Sequence, residues 1–243
     1  MAQTAEAKMD LFEEDIKAVQ KELEKRYDPR LHGEIAEIAD RLITLHRSNS
    51  IKINHSVMEY VLAAYLISRG YRVDLEHPLE NDLVADVMAW KNGRSMIIEV
   101  ETGFTSPENA LDPQAYLTSR VISKIARYSL HADEFSLATP AHNILQVPRV
   151  LLKPASRRKP AEIQLLKRLC DRYYKTPEIA VEKLSKMRLH AIYLINVDLL
   201  EVKRLSPRKY LERYKTSCPT LRQIKRYIRA GCRRHVAYEH PAT

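Results

Sequence analysis

Apolar residues recur with two different periods along the chain, and these periods predict its elements. Near the N-terminus, stripes of apolar residues spaced three or four apart predict amphipathic helices over 9–27 and 32–48. A third helix is predicted from about His55 to Arg69, because Gly70 is placed to end it. Segments of strand-like composition follow at 71–78, 83–91 and 94–102.

The second half of the chain continues with helices and strands in alternation. Asp112 and Pro113 predict the start of a helix that runs to about Leu130, since Asp suits the N-cap and Pro the first helical position. A strand is predicted at 134–139, and 153–160 reads as a linker or an exposed loop. The remaining predictions are helices at 161–174, 177–187, 207–214 and 219–230, and a strand at 190–197 that could rejoin the sheet.

This order predicts an α/β fold in three parts. An acidic helical segment, 1–50, precedes a core over 51–152, in which helix, three-strand meander, helix and strand form a mixed sheet flanked by helices. A basic helical region, 153–243, follows the core. We expect the N-terminal helical hairpin to pack on the body of the protein or on a protein partner.

Charge is unevenly distributed along a chain whose net charge is +9. Residues 1–40 hold eleven Asp and Glu against six Lys and Arg, whereas 203–234 hold twelve Lys and Arg and one acid. A basic half favours a polyanion partner, because phosphates neutralised by the protein release counterions. A nucleic acid is the expected partner, and the alternative is a solvated basic surface.

Membrane insertion and disulfide bonding are not expected. No apolar run approaches the roughly 18 residues of a membrane span, and the N-terminus lacks the pattern of a signal peptide. Three widely spaced cysteines suit neither a disulfide framework nor a four-thiolate metal cluster. The sequence therefore predicts a cytoplasmic protein with reduced cysteines.

The segment 85–101 carries the clearest chemical signal. Asn92-Gly93 between two apolar strands predicts a hairpin with a two-residue type I′ turn. That turn pairs Lys91 with Arg94, and the same register places Asp86 opposite Glu99. Their Cα atoms should be only about 4.5 Å apart, as in a non-hydrogen-bonded pair.

A third acid, Glu101, lies two residues beyond Glu99 and therefore shares its face. The opposite face of the hairpin consists of Leu83, Ala85, Val87, Ala89, Met96, Ile98 and Val100, and must be buried. Like charges opposite each other in a buried sheet are destabilising, so a divalent cation such as Mg²⁺ or Mn²⁺ is expected among the acids. The alternative is a solvent-facing hairpin whose acids pair with lysines and arginines.

At this point the chain resembles the PD-(D/E)XK nuclease superfamily, and within it archaeal Holliday-junction resolvases and restriction-endonuclease-like proteins. The family motif is an Asp, a hairpin and then Glu-x-Lys. Here Asp86 is followed thirteen residues later by Glu99–Glu101, and the family order of elements fits 55–139, about a third of the chain. Many resolvase-like members also carry a Glu eleven residues before a helix-ending Gly, as Glu59 and Gly70 do here.

The resemblance implies a metal site held by Glu59, Asp86 and Glu99. His55, one turn before Glu59, is left outside the predicted site because a single histidine is more often structural. Two departures from the family pattern are Ala85 in place of the usual Pro and Glu101 in place of the usual Lys.

In some family members the lysine moves to the following helix. Lys124 is the candidate here, and Arg120 and Arg127 share its helix face at i, i+4 and i+7. A phosphate contact or plain surface charge is the alternative for Lys124. We expect further phosphate contacts from the two arginines and from Arg157, Arg158, Lys225, Arg226 and Arg229.

The function implied is a metal-dependent DNA endonuclease that could be structure-specific, with Asp86, Glu99, Glu101 and Lys124 in catalysis. One alternative is a catalytically inactive nuclease-fold protein that serves as a DNA-binding or transcription-factor-interacting module. Another is a basic helical scaffold that docks through its acidic N-terminal helices. Nucleases of this fold often dimerise, so a homodimer is also considered.

Overall fold

The structure, a computed structural model, describes residues 10–48 and 53–239, with side chains for all of these except 53–54 and 231–239. Within these ranges the chain forms eight α-helices and one six-stranded sheet. The helices are α1 (Leu11–Glu24), α2 (His32–Arg47), α3 (Ile53–Ile67), α4 (Pro113–Tyr128), α5 (Pro160–Cys170), α6 (Val181–Lys186), α7 (Pro207–Arg213) and α8 (Leu221–Glu239). The strands are β1 (Arg72–Pro78), β2 (Val84–Lys91), β3 (Arg94–Val100), β4 (Glu134–Pro140), β5 (Ala191–Asn196) and β6 (Glu201–Leu205).

The sheet is mixed, and its strands follow one another in chain order from β1 to β6. β1, β2 and β3 form an antiparallel meander, β4 and β5 continue parallel to β3, and β6 returns antiparallel. The α/β class is therefore confirmed, and so is the predicted order of helix, three strands, helix and strand from α3 to β4. The strand predicted at 190–197 is β5, which rejoins the sheet beside β4.

Each face of the sheet is covered by its own set of helices. Helices α2 and α3 pack on one face and α1 packs on these two helices. Ile16, Leu42 and Leu62 of the three helices share one hydrophobic core with Val87 and Ile98 of the hairpin. Helices α4 to α8 contribute to the core on the other face. The acidic N-terminal helices thus belong to the same core as α3, and Tyr60 of α3 donates a hydrogen bond to the Ile35 carbonyl.

The hairpin between β2 and β3 forms as its turn residues predict. Asn92 and Gly93 have φ values of 52° and 74°, the left-handed conformation that a type I′ turn requires. Lys91 pairs with Arg94, which confirms the predicted register. The face predicted to be apolar is buried, apart from Leu83, which is partly exposed.

Several element predictions were wrong in detail. Strand β6 was missed because its sequence, EVKRL, exposes most of its side chains, as an edge strand can. The helix predicted at 177–187 begins only at Val181, because Glu178 bridges back to Lys175 and Ala180 is extended. The last helix runs to Glu239 rather than ending at 230.

The loop at 153–160 is more ordered than a linker. Ala155–Arg157 forms a turn of 3₁₀ helix, and the Arg158 guanidinium donates to the carbonyls of Lys153 and Met187. The prediction of a simple exposed loop is therefore wrong for Arg158, which anchors this segment to the end of α6.

Two further expectations concern the membrane and the cysteines. Among the described residues, no helix has both the length and the apolar content to cross a bilayer. Cys170 and Cys218 are buried and carry no disulfide, and burial raises the pKa of the Cys218 thiol to about 11. The side chain of Cys232 lies outside the described residues.

Candidate metal centre and its lysine

The two acids of the hairpin lie just beyond the last paired residues of β2 and β3. Backbone pairing ends at Val87 with Ile98. Beyond this pair, the side-chain carboxylates accept hydrogen bonds from the backbone N–H groups of the opposite strand. The Asp86 backbone N–H donates to Glu99 Oε1 at 3.1 Å, and the Val100 backbone N–H donates to Asp86 Oδ2 at 2.7 Å. The two carboxyl groups are therefore held side by side where the hairpin opens.

Lys124 of α4 reaches these acids from above the sheet. Its Nζ lies 3.4 Å from Asp86 Oδ2 and 3.3 Å from Glu99 Oε2, and it donates to the Val100 carbonyl at 2.7 Å. Only 18% of its side chain is exposed. The helix face predicted for Lys124 thus points at the acidic hairpin, and the alternative of plain surface charge does not fit.

Burial shifts the pKa of both Glu99 and Lys124. Burial of Glu99, and then the neighbouring Asp86, raise the pKa of the Glu99 carboxyl above its usual range, although Lys124 opposes the shift. Burial lowers the pKa of Lys124, but the charges of Asp86 and Glu99 outweigh it and raise that pKa above its ordinary value. Lys124 is therefore a permanent cation, while Glu99 takes up a proton more readily than an ordinary glutamate.

Helix α3 brings two further groups to the same place from the other face of the sheet. His55 Nδ1 lies 3.1 Å from Glu59 Oε1, and one ligand atom from each of His55, Glu59 and Asp86 lies within 4.8 Å of the others. Glu59 is fully buried. Of the predicted ligands, the structure groups Glu59 with Asp86, whereas Glu99 faces Lys124 beside them.

His55 is the member of this group that was left outside the predicted site. The signal for it was present in the sequence, because His55 and Glu59 are spaced i, i+4 and therefore share a helix face. A lone histidine was interpreted as structural. The contact of His55 with the Glu59 carboxylate, one turn away, changes that interpretation.

Glu101 occupies the same face of the sheet but is committed to other partners. Arg120 Nε lies 2.8 Å from Glu101 Oε2, and the Gly103 backbone N–H donates to Oε1 at 3.2 Å. Glu101 is only 2% exposed. Because Glu99 and Glu101 are both buried against α4, the hairpin is not solvent-facing, although its acids do pair with an arginine and a lysine as that alternative expected.

A cleft of about 500 Å³ opens over the hairpin acids. It is lined by His55, Glu76, Asp82, Val84, Asp86, Glu99, Thr102, Phe104, Arg120, Lys124 and Tyr128. Glu76, Asp82 and Tyr128 were not anticipated. The first two lie near the β1–β2 connection with φ values of 48° and 56°, a local conformation that apolar periodicity does not reveal.

The donors in this cleft fit a divalent cation. Its lining holds more carboxyl groups than cations, since Glu76, Asp82, Asp86 and Glu99 share it with Lys124 and Arg120. Like charges this close disfavour one another. Carboxylate oxygens suit Mg²⁺ and Mn²⁺.

The residues predicted to contact DNA do not gather at one place. Arg120 lines the cleft, but Arg127 donates to the Pro177 carbonyl and stacks over Tyr174, with its Cζ 5.1 Å from the ring centroid. Arg157 is exposed beside the anchored Arg158. The three cations predicted on α8, Lys225, Arg226 and Arg229, are exposed, while Ile224 of that helix is buried in the core.

No protein-family model, curated protein or solved structure matches the chain. The geometry of the cleft and the chemistry of its side chains are therefore what support a function.

Proposed function

We propose that this chain is a metal-dependent DNA endonuclease of the PD-(D/E)XK type. The observation that carries the proposal is the position of Lys124, whose Nζ lies within 3.4 Å of both Asp86 and Glu99. A buried lysine beside two hairpin carboxylates is the combination that the family motif implies. Here Glu101 occupies the position usual for that lysine, and the lysine comes from the following helix instead.

The fold supports the same proposal. The core of α3, the meander β1–β3, helix α4 and the parallel strand β4 has the element order that the resemblance implies. It holds the candidate residues on regular elements, with Asp86 and Glu99 on β2 and β3, Glu59 on α3 and Lys124 on α4. Sites built on helices and strands keep their geometry better than sites on loops.

Glu59 and Asp86, together with His55, would hold the metal ion, with Glu99 as the adjoining carboxylate. A bound Mg²⁺ or Mn²⁺ supplies an activated water and neutralises charge on the phosphate. The excess of carboxyl groups over cations in the cleft lining favours such an ion.

Lys124 would orient the attacking water or stabilise the negative charge on the phosphate. Its raised pKa keeps it protonated, so it acts as a hydrogen-bond donor and a positive charge rather than as a base. Glu101 is less suited to the role of base, because Arg120 and the Gly103 N–H already engage its carboxylate. Arg120, at the wall of the cleft, is placed to contact a phosphate.

The alternative of an inactive binding module rested on the lysine missing from the Glu-x-Lys position. The contacts of Lys124 weaken that argument, because they supply a lysine at the carboxylates from another element. The alternative remains a distinct outcome of experiment, since an inactive module would bind DNA without cutting it.

Cleavage of a panel of branched and linear DNAs with Mg²⁺ or Mn²⁺ tests the proposal. We expect wild-type protein to cut at least one substrate, EDTA to stop the reaction, and Asp86→Ala to be inactive. Asp15→Ala is the matched control, because Asp15 is an exposed acid of α1, and this variant should cut as wild type does. DNA binding without cleavage of any substrate would favour the inactive module.

A further inference from the structure

A second cleft, of about 660 Å³, lies at the other end of α3 from the candidate metal centre. The C-terminal end of α3, the β5–β6 hairpin, the α1–α2 connection and the end of α7 line it. Ten residues separate Glu59 from Arg69, which is roughly 15 Å along a helix. The two clefts are therefore separate places on one molecule, towards opposite ends of α3.

Four cations surround this second cleft, and all of them are exposed: Arg26, Arg69, Lys203 and Arg213. None of the four makes an ion pair with a side chain in the part of the chain that the structure describes. By contrast, Lys17, Lys25, Arg47 and Lys167 all have carboxylate partners. Glu201 is the acidic residue of the lining, so the cleft is strongly positive.

Three tyrosines alternate with these cations: Tyr27, Tyr65 and Tyr214, each partly exposed. The Arg69 guanidinium lies 5.1 Å from the centroid of the Tyr65 ring, and that of Arg213 lies 5.6 Å from the Tyr214 ring. Stacking of this kind holds each guanidinium in place while leaving its outer N–H groups available to an anion.

We infer that this cleft binds a segment of single-stranded nucleic acid. Unpaired cations would contact successive phosphates, and the ring of Tyr27 would stack on a base, a combination by which proteins hold single strands without reading their sequence. An acidic peptide would use the cations but not the aromatic faces. A duplex would offer phosphates, but its bases are stacked on one another and cannot reach the tyrosines.

The inference does not depend on catalysis at the metal centre. It concerns different residues and needs no metal, so binding can be measured in EDTA. If the chain is a nuclease, the second cleft would hold an unpaired strand at the other end of α3 from the metal centre. If it is an inactive module, the same cleft would still bind.

Fluorescence anisotropy with a labelled single-stranded oligonucleotide in EDTA tests the inference over a series of salt concentrations. Lys203→Glu/Arg213→Glu should weaken binding at least roughly tenfold and reduce the slope of log K against log salt by about 1.4, at about 0.7 for each lost phosphate contact. The matched control is Arg168→Glu/Arg188→Glu, with the same change of charge at exposed positions outside the cleft. This control should keep most of the affinity.

A second pair of variants tests the aromatic contact without changing charge. Tyr27→Leu should weaken oligonucleotide binding roughly tenfold, because a base loses its stacking partner, whereas Tyr27→Phe should bind as wild type does. Asp15→Asn, at an exposed acid outside both clefts, should also bind as wild type does. Equal affinities for the cleft and control double variants, or for Tyr27→Leu and Tyr27→Phe, would overturn the inference.

Discussion

Lys124 is the residue on which the chemistry of the metal centre most depends. It lies between two acids and also donates to the Val100 carbonyl, so its position is fixed by three contacts. The neighbouring cation Arg120 is directed instead at Glu101 and at the Phe104 carbonyl. The two cations of α4 therefore have different partners, and their substitutions should have different effects.

Replacing Lys124 with Ala should slow single-turnover cleavage at saturating DNA and Mg²⁺ by about 100-fold or more, the usual loss when one donor that stabilises developing charge is removed. DNA affinity should change little, because one phosphate contact among many is lost. Arg127→Ala is the control on the same helix, since Arg127 contacts the Pro177 carbonyl rather than the acids. Unchanged cleavage by Lys124→Ala would leave Glu101 as the candidate base.

The raised pKa of Glu99 predicts how metal affinity depends on pH. Glu99 can serve the ion only when ionised, so binding should tighten as the pH rises through its raised pKa, and protons should be released on binding. His55 changes affinity in the same direction, and Lys124 and Tyr128 also face this group. Calorimetry in buffers of different ionisation enthalpy measures the release.

A Glu99→Gln variant isolates the share of Glu99 in that pH dependence. It should release fewer protons than wild type and show a flatter rise of affinity with pH, while His55 still contributes. Equal proton release by the two proteins would show that Glu99 is already ionised before the metal binds, against the direction of its pKa shift.

At the scale of elements, the β2–β3 hairpin is the part of the site that the sequence predicts best. Its turn is local chemistry, because Asn92 and Gly93 tolerate positive φ, and the turn then determines every pair up to Val87 with Ile98. From that register the nearness of Asp86 and Glu99 follows. The face of α4 that carries Lys124 was also predictable from local sequence, because the helical period determines which residues face the sheet.

Other parts of the fold could not be predicted because nothing local specifies them. Strand β6 exposes charged side chains and owes its pairing to β5. Asp82 reaches the cleft through a positive φ in a connection without periodicity. The approach of His55 and Glu59 to Asp86 depends on how α3 packs across the sheet, a tertiary contact that spacing along the chain does not encode.

A substitution at the hairpin turn tests its role in stability. Gly93→Ala should lower the free energy of unfolding by about 1–2 kcal/mol, because alanine is strained in the left-handed conformation. Apart from the adjoining residues, no heavy atom lies within 4 Å of the added Cβ, so the strained backbone accounts for the loss. Urea denaturation measures it.

Gly33→Ala is the control for that experiment. Gly33 lies in the first turn of α2, where an added Cβ also meets no atom within 4 Å. There alanine should be neutral or stabilising by up to about 1 kcal/mol. Similar losses of stability in both variants would show that the turn conformation at Gly93 is not what matters.

At the scale of the whole molecule, the sheet separates two groups of helices, and both groups contribute residues to the candidate metal centre. Helices α1, α2 and α3 form one core with the sheet, and α4 to α8 form the other. His55 and Glu59 come from the first, Lys124 and Arg120 from the second, and Asp86 and Glu99 from the sheet between them. An ion bound at their junction should therefore stabilise the fold as a whole.

Thermal unfolding with and without Mn²⁺ or Mg²⁺ tests the metal centre most directly. At about 100 times the dissociation constant, an ion that binds only the folded chain stabilises it by about 2.7 kcal/mol. We predict a clear rise in the unfolding temperature of wild type and of the exposed-acid control Asp15→Asn, and little or none in Asp86→Asn. Equal shifts in Asp86→Asn and wild type, or no shift in wild type at saturating metal, would contradict the account.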